Sequence, residues 1–242
     1  MLHLDTGMAR LGLPPAELDM LAGDPSRLAG IELALIMTHL ACADEPDQTM
    51  SRRQRDDFAA ALARLPRAPA SLSASSGIFL GPDFLFDMVR PGVCLYGVNP
   101  RPGQPNPLRP VVRLQAKILQ IRDVDTPQTV GYGATHRFAG PARLATLAAG
   151  YADGYLRSLS GRGTAHIGEV AVPVVGRVSM DLITVDVTRV PEARLGDMVD
   201  LIGPHHDIDA LAEEAGTIGY EILTSLGRRY RRHYSGGDGE VA

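Results

Sequence analysis

The sequence predicts an α/β domain followed by a domain of antiparallel β structure. Before residue 107, helical and strand-like segments alternate, which is typical of βα units that build a parallel sheet. The stretch "NPRPGQPNPLRP" then brings five prolines together, and beyond it alternating apolar and polar residues indicate an antiparallel sandwich or barrel. We therefore expect domains over 1–107 and 108–234, and a disordered Gly-rich tail over 235–242.

The first domain alternates between elements of recognisable type. In "PPAELDMLAGD" the prolines suit a helix start and Gly23 a helix stop. The near-continuous apolar run "GIELALIMTHL" is typical of a buried parallel strand. "DQTMSRRQRDDFAAALARLP" predicts an amphipathic helix that buries a stripe including Phe58 and Ala61 and ends at Pro66. "ASLSASSG" and "FDMVRPGVCLYG" are predicted strands. About three or four βα units are too few to close a barrel, so we expect a further segment upstream.

The second domain is predicted to consist mainly of strands. They are "VVRLQAKILQIRDV", "ARLATLAAGY", the strands within "GTAHIGEVAVPVVGRVSMDLITVDV", and "DMVDLIG". Two short helical stretches, "DALAEEAG" and "YEILTSLG", follow. The arginine-rich "LGRRYRRHY" is strand-like and could touch phosphate or RNA, but a solvated sheet edge is the favoured interpretation.

Composition limits the classes of function. The 242 residues are 45% hydrophobic, as a packed core requires, and the net charge of −4 is dispersed along the chain, unlike the footprint of a nucleic-acid binder. No apolar run approaches the roughly 20 residues of a membrane span, and "MLHLDTGMAR" does not resemble a signal peptide, so we expect a cytoplasmic protein. Cys42 and Cys94 suit reduced thiols. Lys117 is the one lysine among 24 basic residues.

Polar clusters follow successive strands of the predicted parallel sheet. They are Asp5–Arg10, Thr38–His39, Ser75–Gly77 and Arg90–Gly92. Ligands bind at this edge of parallel sheets, and serines and glycines before a helix start suit a phosphate. Arg10 and Arg90 could hold a carboxylate, a phosphate or a ring nitrogen. In "TVGYGATHR", Tyr132 lies between two glycines, either at a hairpin corner or where its side chain must stand clear of its own backbone.

Six stretches together resemble the alanine racemase family. They are "HLDTGMARLG", "THLACADE", "FDMVRPGVCLYG", "TVGYGATHR", "AAGYADGYLR" and "VVGRVSMDLITVDV", in that order, and the resemblance extends to about residue 234. It implies a pyridoxal 5′-phosphate (PLP) enzyme, without a metal site, that interconverts L-alanine and D-alanine. It also implies a homodimer in which an eight-stranded TIM-type α/β barrel carries PLP and the C-terminal β domain of the other subunit closes the active site. The first domain would be the C-terminal part of that barrel.

The resemblance assigns a role to each matching residue. Tyr132 is the catalytic tyrosine, and Gly131 and Gly133 would let it project across a subunit interface. The other matches are Arg10 and Met180 for the substrate carboxylate; Arg90 for the pyridine nitrogen, with His39 between Arg90 and the tyrosine; Ser76, Gly92 and Val93, with Ser75 close by, for the phosphate; and Tyr151, Arg177 and Asp181 for the entrance passage.

The residue types suit racemisation, which removes the α-proton from one face and returns a proton on the other. Two acid–base groups must therefore flank the cofactor. A phenol has a pKa of about 10, so Tyr132 needs nearby positive charge to act as a base, which a chain from His39 to Arg90 could supply. Arginine at the pyridine nitrogen disfavours ring protonation and so limits side reactions.

The sequence departs from the family pattern in three places, and in one of them Arg228 or a neighbour occupies the position of a phosphate-binding tyrosine found in some members. The stretch with the family's Schiff-base lysine is absent, and Lys117 belongs to an alternating strand where an exposed position is expected. His3 stands where many members have a carbamylated lysine that braces the substrate-binding arginine. The chain by itself is thus expected to be catalytically incomplete. The alternatives are a piece of an alanine racemase that supplies D-alanine for peptidoglycan, a related PLP racemase for another amino acid, and a non-catalytic dimerising remnant.

Overall fold

The computed structural model describes residues 1–125 and 127–236. It divides into two compact units, Met1–Arg109 and the chain from Pro110 onward. Of the predicted tail over 235–242, residues 237–242 lie outside the described residues. None of the helices in the described part of the chain is long and apolar enough to cross a bilayer.

The first unit is built on a small parallel sheet, as the alternation of elements predicted. Its elements are β1 (Leu2–His3), α1 (Pro15–Gly23), β2 (Ile36–Met37), α2 (Thr49–Leu62) and β3 (Ala70–Ser71). The strand order is β1-β2-β3, and both pairings are parallel. Leu4, Ile36, Phe58 and Leu72 are almost fully buried between the sheet and the helices.

Both helices form within the predicted stretches, although α2 ends at Leu62 and not at Pro66. Pro15 begins α1, where a missing N–H costs nothing. In α2 the buried residues recur at helical spacing, and they are Ser51, Gln54, Phe58 and Ala61. Two of the four are polar, so the buried stripe is less apolar than the sequence analysis assumed.

Two predicted strands of this unit are shorter than expected or are replaced by turns. Only Ile36–Met37 of "GIELALIMTHL" pairs on both sides, and Ile31 is exposed. The prediction of a strand over "FDMVRPGVCLYG" is wrong apart from one bridge between Arg90 and Ala74. Val93–Tyr96 form a 3-10 turn because Pro91 has no N–H to donate to a sheet ladder and Gly97 takes a left-handed φ of 81°.

The second unit contains a closed barrel of six strands, which decides between the predicted sandwich and barrel. The strands of the whole unit, including two outside the barrel, are β4 (Leu114–Val124), β5 (Gln128–Val130), β6 (His136–Phe138), β7 (Ala142–Leu147), β8 (Thr164–Ile167), β9 (Val170–Val175), β10 (Ile183–Asp186) and β11 (Met198–Ile202). The barrel order is β10-β7-β4-β11-β8-β9, while β5 and β6 form a separate hairpin. Inward-facing Leu147, Val185 and Leu201 are fully buried in its core.

The end of the second unit is helical and then irregular. The helices α3 (Ile208–Ala215) and α4 (Gly219–Ser225) confirm the two predicted stretches. Asp207 caps α3 by accepting a hydrogen bond from Ala210 N, and Gly216 ends the helix with a left-handed φ of 71°. The strand-like interpretation of "LGRRYRRHY" is wrong, because residues 226–234 hold no strand.

Candidate active site

Arg90 is the centre of the polar edge of the first unit. Its Nη1 donates to Ser71 Oγ at 2.5 Å, and its Nη2 donates to the carbonyls of Thr38 at 2.9 Å and Leu72 at 3.2 Å. Nη2 also lies 3.2 Å from His39 Nδ1. The guanidinium is therefore fixed across the carboxyl ends of β2 and β3, where the sequence analysis placed a ligand site.

The ring of His39 is held in one protonation state by its surroundings. Burial lowers its pKa, and the positive charges of Arg90 and Arg10 and the nearby His3 lower it further. The imidazole is therefore neutral near pH 7. Since arginine is only a donor, His39 Nδ1 must accept, and the ring proton resides on Nε2. His39 consequently offers an N–H donor on the side of the ring away from Arg90.

Gln54 joins the ends of β1 and β2 and was missed by sequence reasoning. Its Nε2 donates to Thr6 Oγ1 at 3.1 Å and to His39 O at 2.9 Å, while its Oε1 accepts from Ala41 N at 2.8 Å. Gln54 is fully buried. The available signal was a glutamine four residues before Phe58 on the buried stripe of α2, since a buried amide requires partners.

The serine cluster follows β3 and faces the segment after Arg90. Ser75 Oγ accepts hydrogen bonds from Gly92 N at 3.0 Å and from Cys94 N at 3.3 Å, and Ser75 is buried. Ser75 thus pins the 92–94 segment beside Ser76, which is half-buried. A Cβ built on Gly92 would meet its nearest atom only at 3.9 Å, so this backbone is open to close approach by a ligand.

The segment after β1 carries Arg10 on a turn shaped by Asp5. Asp5 Oδ1 accepts from Gly7 N at 2.9 Å and Ala9 N at 3.1 Å. Ala9 takes a φ of 56°, which is uncommon for a residue with a Cβ. Arg10 is exposed. Burial lowers the pKa of His3, and the charge of Arg90 lowers it further, so His3 is neutral near pH 7 and adds no positive charge beside Arg10.

The tyrosine turn of the second unit is a hairpin corner whose tyrosine stands clear of its own backbone. Residues 131–135 join β5 to β6 as a hairpin corner, and Tyr132 at its tip is 72% exposed. Gly131 and Gly133 have φ values of 72° and 71°. A Cβ on Gly133 would lie 3.1 Å from the Arg177 guanidinium. The glycines therefore allow the backbone bend and the close approach of Arg177.

Three further predicted site residues are brought together by backbone contacts in the second unit. Tyr151 N donates to Ser179 O at 3.0 Å, and Ala152 N donates to Met180 O at 2.9 Å. Tyr151, Met180 and Asp181 are all exposed. Met180 is 54% exposed, so it is not a core residue.

Lys117 lies on β4 with an exposed side chain. The prediction of an exposed strand position for this one lysine is confirmed.

Comparison with known proteins identifies the family. The family described as "Alanine racemase, N-terminal domain" matches residues 1–100, and "Alanine racemase, C-terminal domain" matches residues 111–234. The alanine racemase of Rhodospirillum rubrum is 57% identical over 237 residues, which are 97% of this chain and 63% of that protein. The catabolic alanine racemase of Mesorhizobium japonicum is 52% identical over 98% of this chain and 62% of its own length.

Solved structures give the same result. Alanine racemase from Bartonella henselae with covalently bound pyridoxal phosphate superimposes with a TM-score of 0.92 at 42% identity, over 97% of this chain and 66% of that one. Biosynthetic alanine racemase from Pseudomonas aeruginosa gives 0.90 at 36% identity, with the same coverage. This chain spans a little under two thirds of the length of these relatives. The predicted fold class, part of a TIM-type barrel followed by an antiparallel β domain, is confirmed, and the chain belongs to the alanine racemase family.

Proposed function

We propose that this protein is an alanine racemase that interconverts L-alanine and D-alanine with PLP. The observation that carries the proposal is the Arg90–His39 pair at the carboxyl edge of the parallel sheet, with Nη2 of Arg90 3.2 Å from His39 Nδ1. A guanidinium held by main-chain carbonyls beside a neutral imidazole places a fixed cation and an N–H donor at the edge where parallel sheets bind ligands. Family membership supports the same function.

The residues of the first unit fit PLP. Arg90 is a fixed cation suited to a pyridine nitrogen that stays unprotonated, and Ser76, Gly92 and Val93 belong to segments that Ser75 holds side by side. The open space at Gly92 suits the close approach of a phosphate. When bound, PLP supplies an electron sink that acidifies the α-proton of an amino acid. We assign 1–107 to the cofactor barrel and 108–234 to the β domain.

The side chains of this protein would hold the substrate and move its proton. Arg10 and Met180 would bind the carboxylate of alanine. The phenolate of Tyr132 would take the α-proton from one face, and the phenol so formed would return a proton to that face in the reverse direction. His39 would stabilise the phenolate through the N–H at Nε2. Tyr151, Arg177 and Asp181 would restrict the entrance passage. The family's second base is a lysine, and exposed Lys117 is not assigned that role.

The wider setting is part of the proposal. We propose a homodimer in which two subunits share each active site, because Tyr132 is exposed at a hairpin tip. We propose a cytoplasmic location, which the unpaired thiols of Cys42 and Cys94 support. The product D-alanine would serve peptidoglycan synthesis.

The test is made on the full-length product of the gene, supplied with PLP, because the 242 residues of this chain match only one of the family's two bases. We expect conversion of L-alanine to D-alanine and, after borohydride reduction and mass spectrometry, no pyridoxyl group on Lys117. Absence of alanine racemisation would overturn the function, and turnover of another amino acid alone would favour a related racemase. Racemisation with an adduct on Lys117 would overturn the assigned roles.

Tyr132→Phe tests the proton-transfer role. Losing the phenol should lower racemisation by about 10²- to 10⁴-fold, the usual contribution of a general acid–base group, and should abolish deuterium exchange at Cα for one enantiomer in D2O. Tyr234, which is also 72% exposed, provides the control Tyr234→Phe, for which we expect no change. If Tyr132→Phe racemises alanine at the parent rate, the assignment of Tyr132 as an acid–base group is wrong.

A further inference from the structure

We propose that Arg229 is a positioning residue that holds the segments carrying Tyr151, Met180 and Asp181 in one arrangement. The proposal rests on the proposed function for the roles of those three residues. Arg229 belongs to the arginine-rich "LGRRYRRHY", which the sequence analysis interpreted as a solvated edge.

A single guanidinium joins two carboxylates that come from different segments. Arg229 Nε lies 3.1 Å from Asp153 Oδ1, and its Nη1 donates to Asp181 Oδ1 at 2.7 Å. Asp153 is buried, and its Oδ2 accepts from Gly150 N at 2.9 Å. Asp153 therefore closes the 150–153 turn with one oxygen and binds Arg229 with the other.

The 150–154 turn is packed between the 179–181 segment and the chain that leads to Arg229. On one side, a Cβ on Gly150 would overlap the carbonyl of Met180. On the other side, Gly227 N donates to Asp153 O at 2.9 Å, and a Cβ on Gly154 would overlap the Ser225 carbonyl. The guanidinium is thus the side-chain link between three backbone segments that already touch.

This link differs from an ordinary surface ion pair. An isolated exposed pair adds little, but networks with well-directed donors are the exception. Here one carboxylate is buried, so removing Arg229 would leave the charge of Asp153 without its cationic partner. The two carboxylates raise the pKa of Arg229, and Asp181 has a larger effect than Asp153. A lysine would supply one ammonium rather than two diverging N–H donors in a rigid plane.

The expected consequence is a defect in substrate binding. Met180 lies directly before Asp181 and accepts from Ala152 N at 2.9 Å, so loosening Asp181 and Asp153 releases the two segments on which Tyr151 and Met180 lie. Tyr132 belongs to a separate hairpin and should keep its chemistry. Arg229→Gln should therefore raise the KM for alanine about tenfold while kcat changes less than about threefold.

The test combines kinetics with amide hydrogen exchange. In Arg229→Gln, the amides of Tyr151 and Ala152 should exchange at least about tenfold faster, and in Arg229→Lys the acceleration should be nearly as large. The control is Arg231→Gln, because Arg231 is exposed and lies two residues away; it should leave exchange and KM unchanged. Since exchange is read without substrate, it tests the positioning role even if the protein racemises nothing, while the alanine assay tests the proposed function.

Three outcomes would overturn the proposal. They are unchanged exchange at Tyr151 and Ala152 in Arg229→Gln, full preservation by Arg229→Lys, and a loss of kcat with no change in KM. If Arg229→Gln fails to fold, Asp181→Ala removes only the exposed half of the link. Faster exchange at Ala152 in that variant would support the proposal, and unchanged exchange would overturn it.

Discussion

The carboxylate of Asp5 controls the backbone that presents Arg10. Its Oδ1 accepts hydrogen bonds from Gly7 N and Ala9 N. In this arrangement the backbone of Ala9 adopts a φ of 56°. Left-handed backbone at a residue with a Cβ is unfavourable and persists only where surrounding contacts hold it. The hydrogen bonds from Gly7 and Ala9 lower the pKa of Asp5, so the carboxylate stays charged throughout the physiological range.

Asp5→Ala should therefore weaken alanine binding without abolishing proton transfer. Losing both hydrogen bonds allows Ala9 to relax and Arg10 to move, so we expect KM to rise about tenfold, the equivalent of about one charge-assisted hydrogen bond. Asp5→Asn is the matched control, because its amide oxygen can accept the same two bonds. Equal KM values for Asp5→Ala and the parent protein, measured by initial rates, would contradict this role.

At the scale of elements, the β5–β6 hairpin shows how turn chemistry presents one side chain. Gly131 and Gly133 both have left-handed φ values, and Arg177 lies against the turn where a Cβ of either glycine would be. Gly176 is also in this contact, because its Cβ would lie 2.9 Å from Val130 O. The exposed tyrosine is thus supported by a turn that has little room for an extra methyl group.

Gly133→Ala should disturb this turn. The substitution adds backbone strain of about 1 kcal/mol at a left-handed position and places a methyl group 3.1 Å from the Arg177 guanidinium. We expect a lower midpoint of unfolding. We also expect the rate of racemisation to fall at least as much as the loss of stability alone would cause. Gly140→Ala is the control, since no described atom lies within 4 Å of its Cβ. Parent-like stability and rate in Gly133→Ala would contradict the expected strain.

Elements could be predicted wherever local chemistry alone decides them. The helix α3 has its cap at Asp207 and its stop at Gly216 within the sequence, and β10 alternates between buried and half-buried residues. By contrast, "FDMVRPGVCLYG" is apolar enough for a strand, yet its shape depends on hydrogen bonds from Gly92 N and Cys94 N to distant Ser75. Such bonds link residues far apart in sequence, so no local pattern indicates them.

The same limit applies to the candidate site. Arg90, His39 and Tyr132 could be named from motifs, because each follows a strand or occupies a glycine turn. Gln54 and Arg229 could not, since their importance lies in partners that only the fold brings close: Thr6 and His39 O for Gln54, and two carboxylates for Arg229. Supporting residues are thus harder to predict than the residues that they support.

At the scale of the whole molecule, three histidines that are buried or half-buried should make stability depend on pH. His3, His39 and His166 all have pKa values lowered from the ordinary 6.5, with burial as the largest cause in each. The charge of Arg90 lowers the pKa values of His3 and His39 further. His206 and His205 lower the pKa of His166 further, while the carboxylates of Asp200 and Glu214 partly oppose that shift.

Acidification from pH 7.5 to 5.5 should therefore destabilise the protein. A histidine with a lowered pKa binds its proton more readily in the unfolded chain, so its stabilisation is complete above about pH 6.5 and is lost as the pH falls through the lower folded value. We expect the urea midpoint to fall over this interval, and His166→Asn to reduce the dependence on pH.

A midpoint that stays constant or rises on acidification would show that the protonated rings are accommodated in the folded state. Aspartates with lowered pKa values, such as Asp5, should produce a separate loss only below about pH 4, so the two contributions can be distinguished by the pH at which each appears.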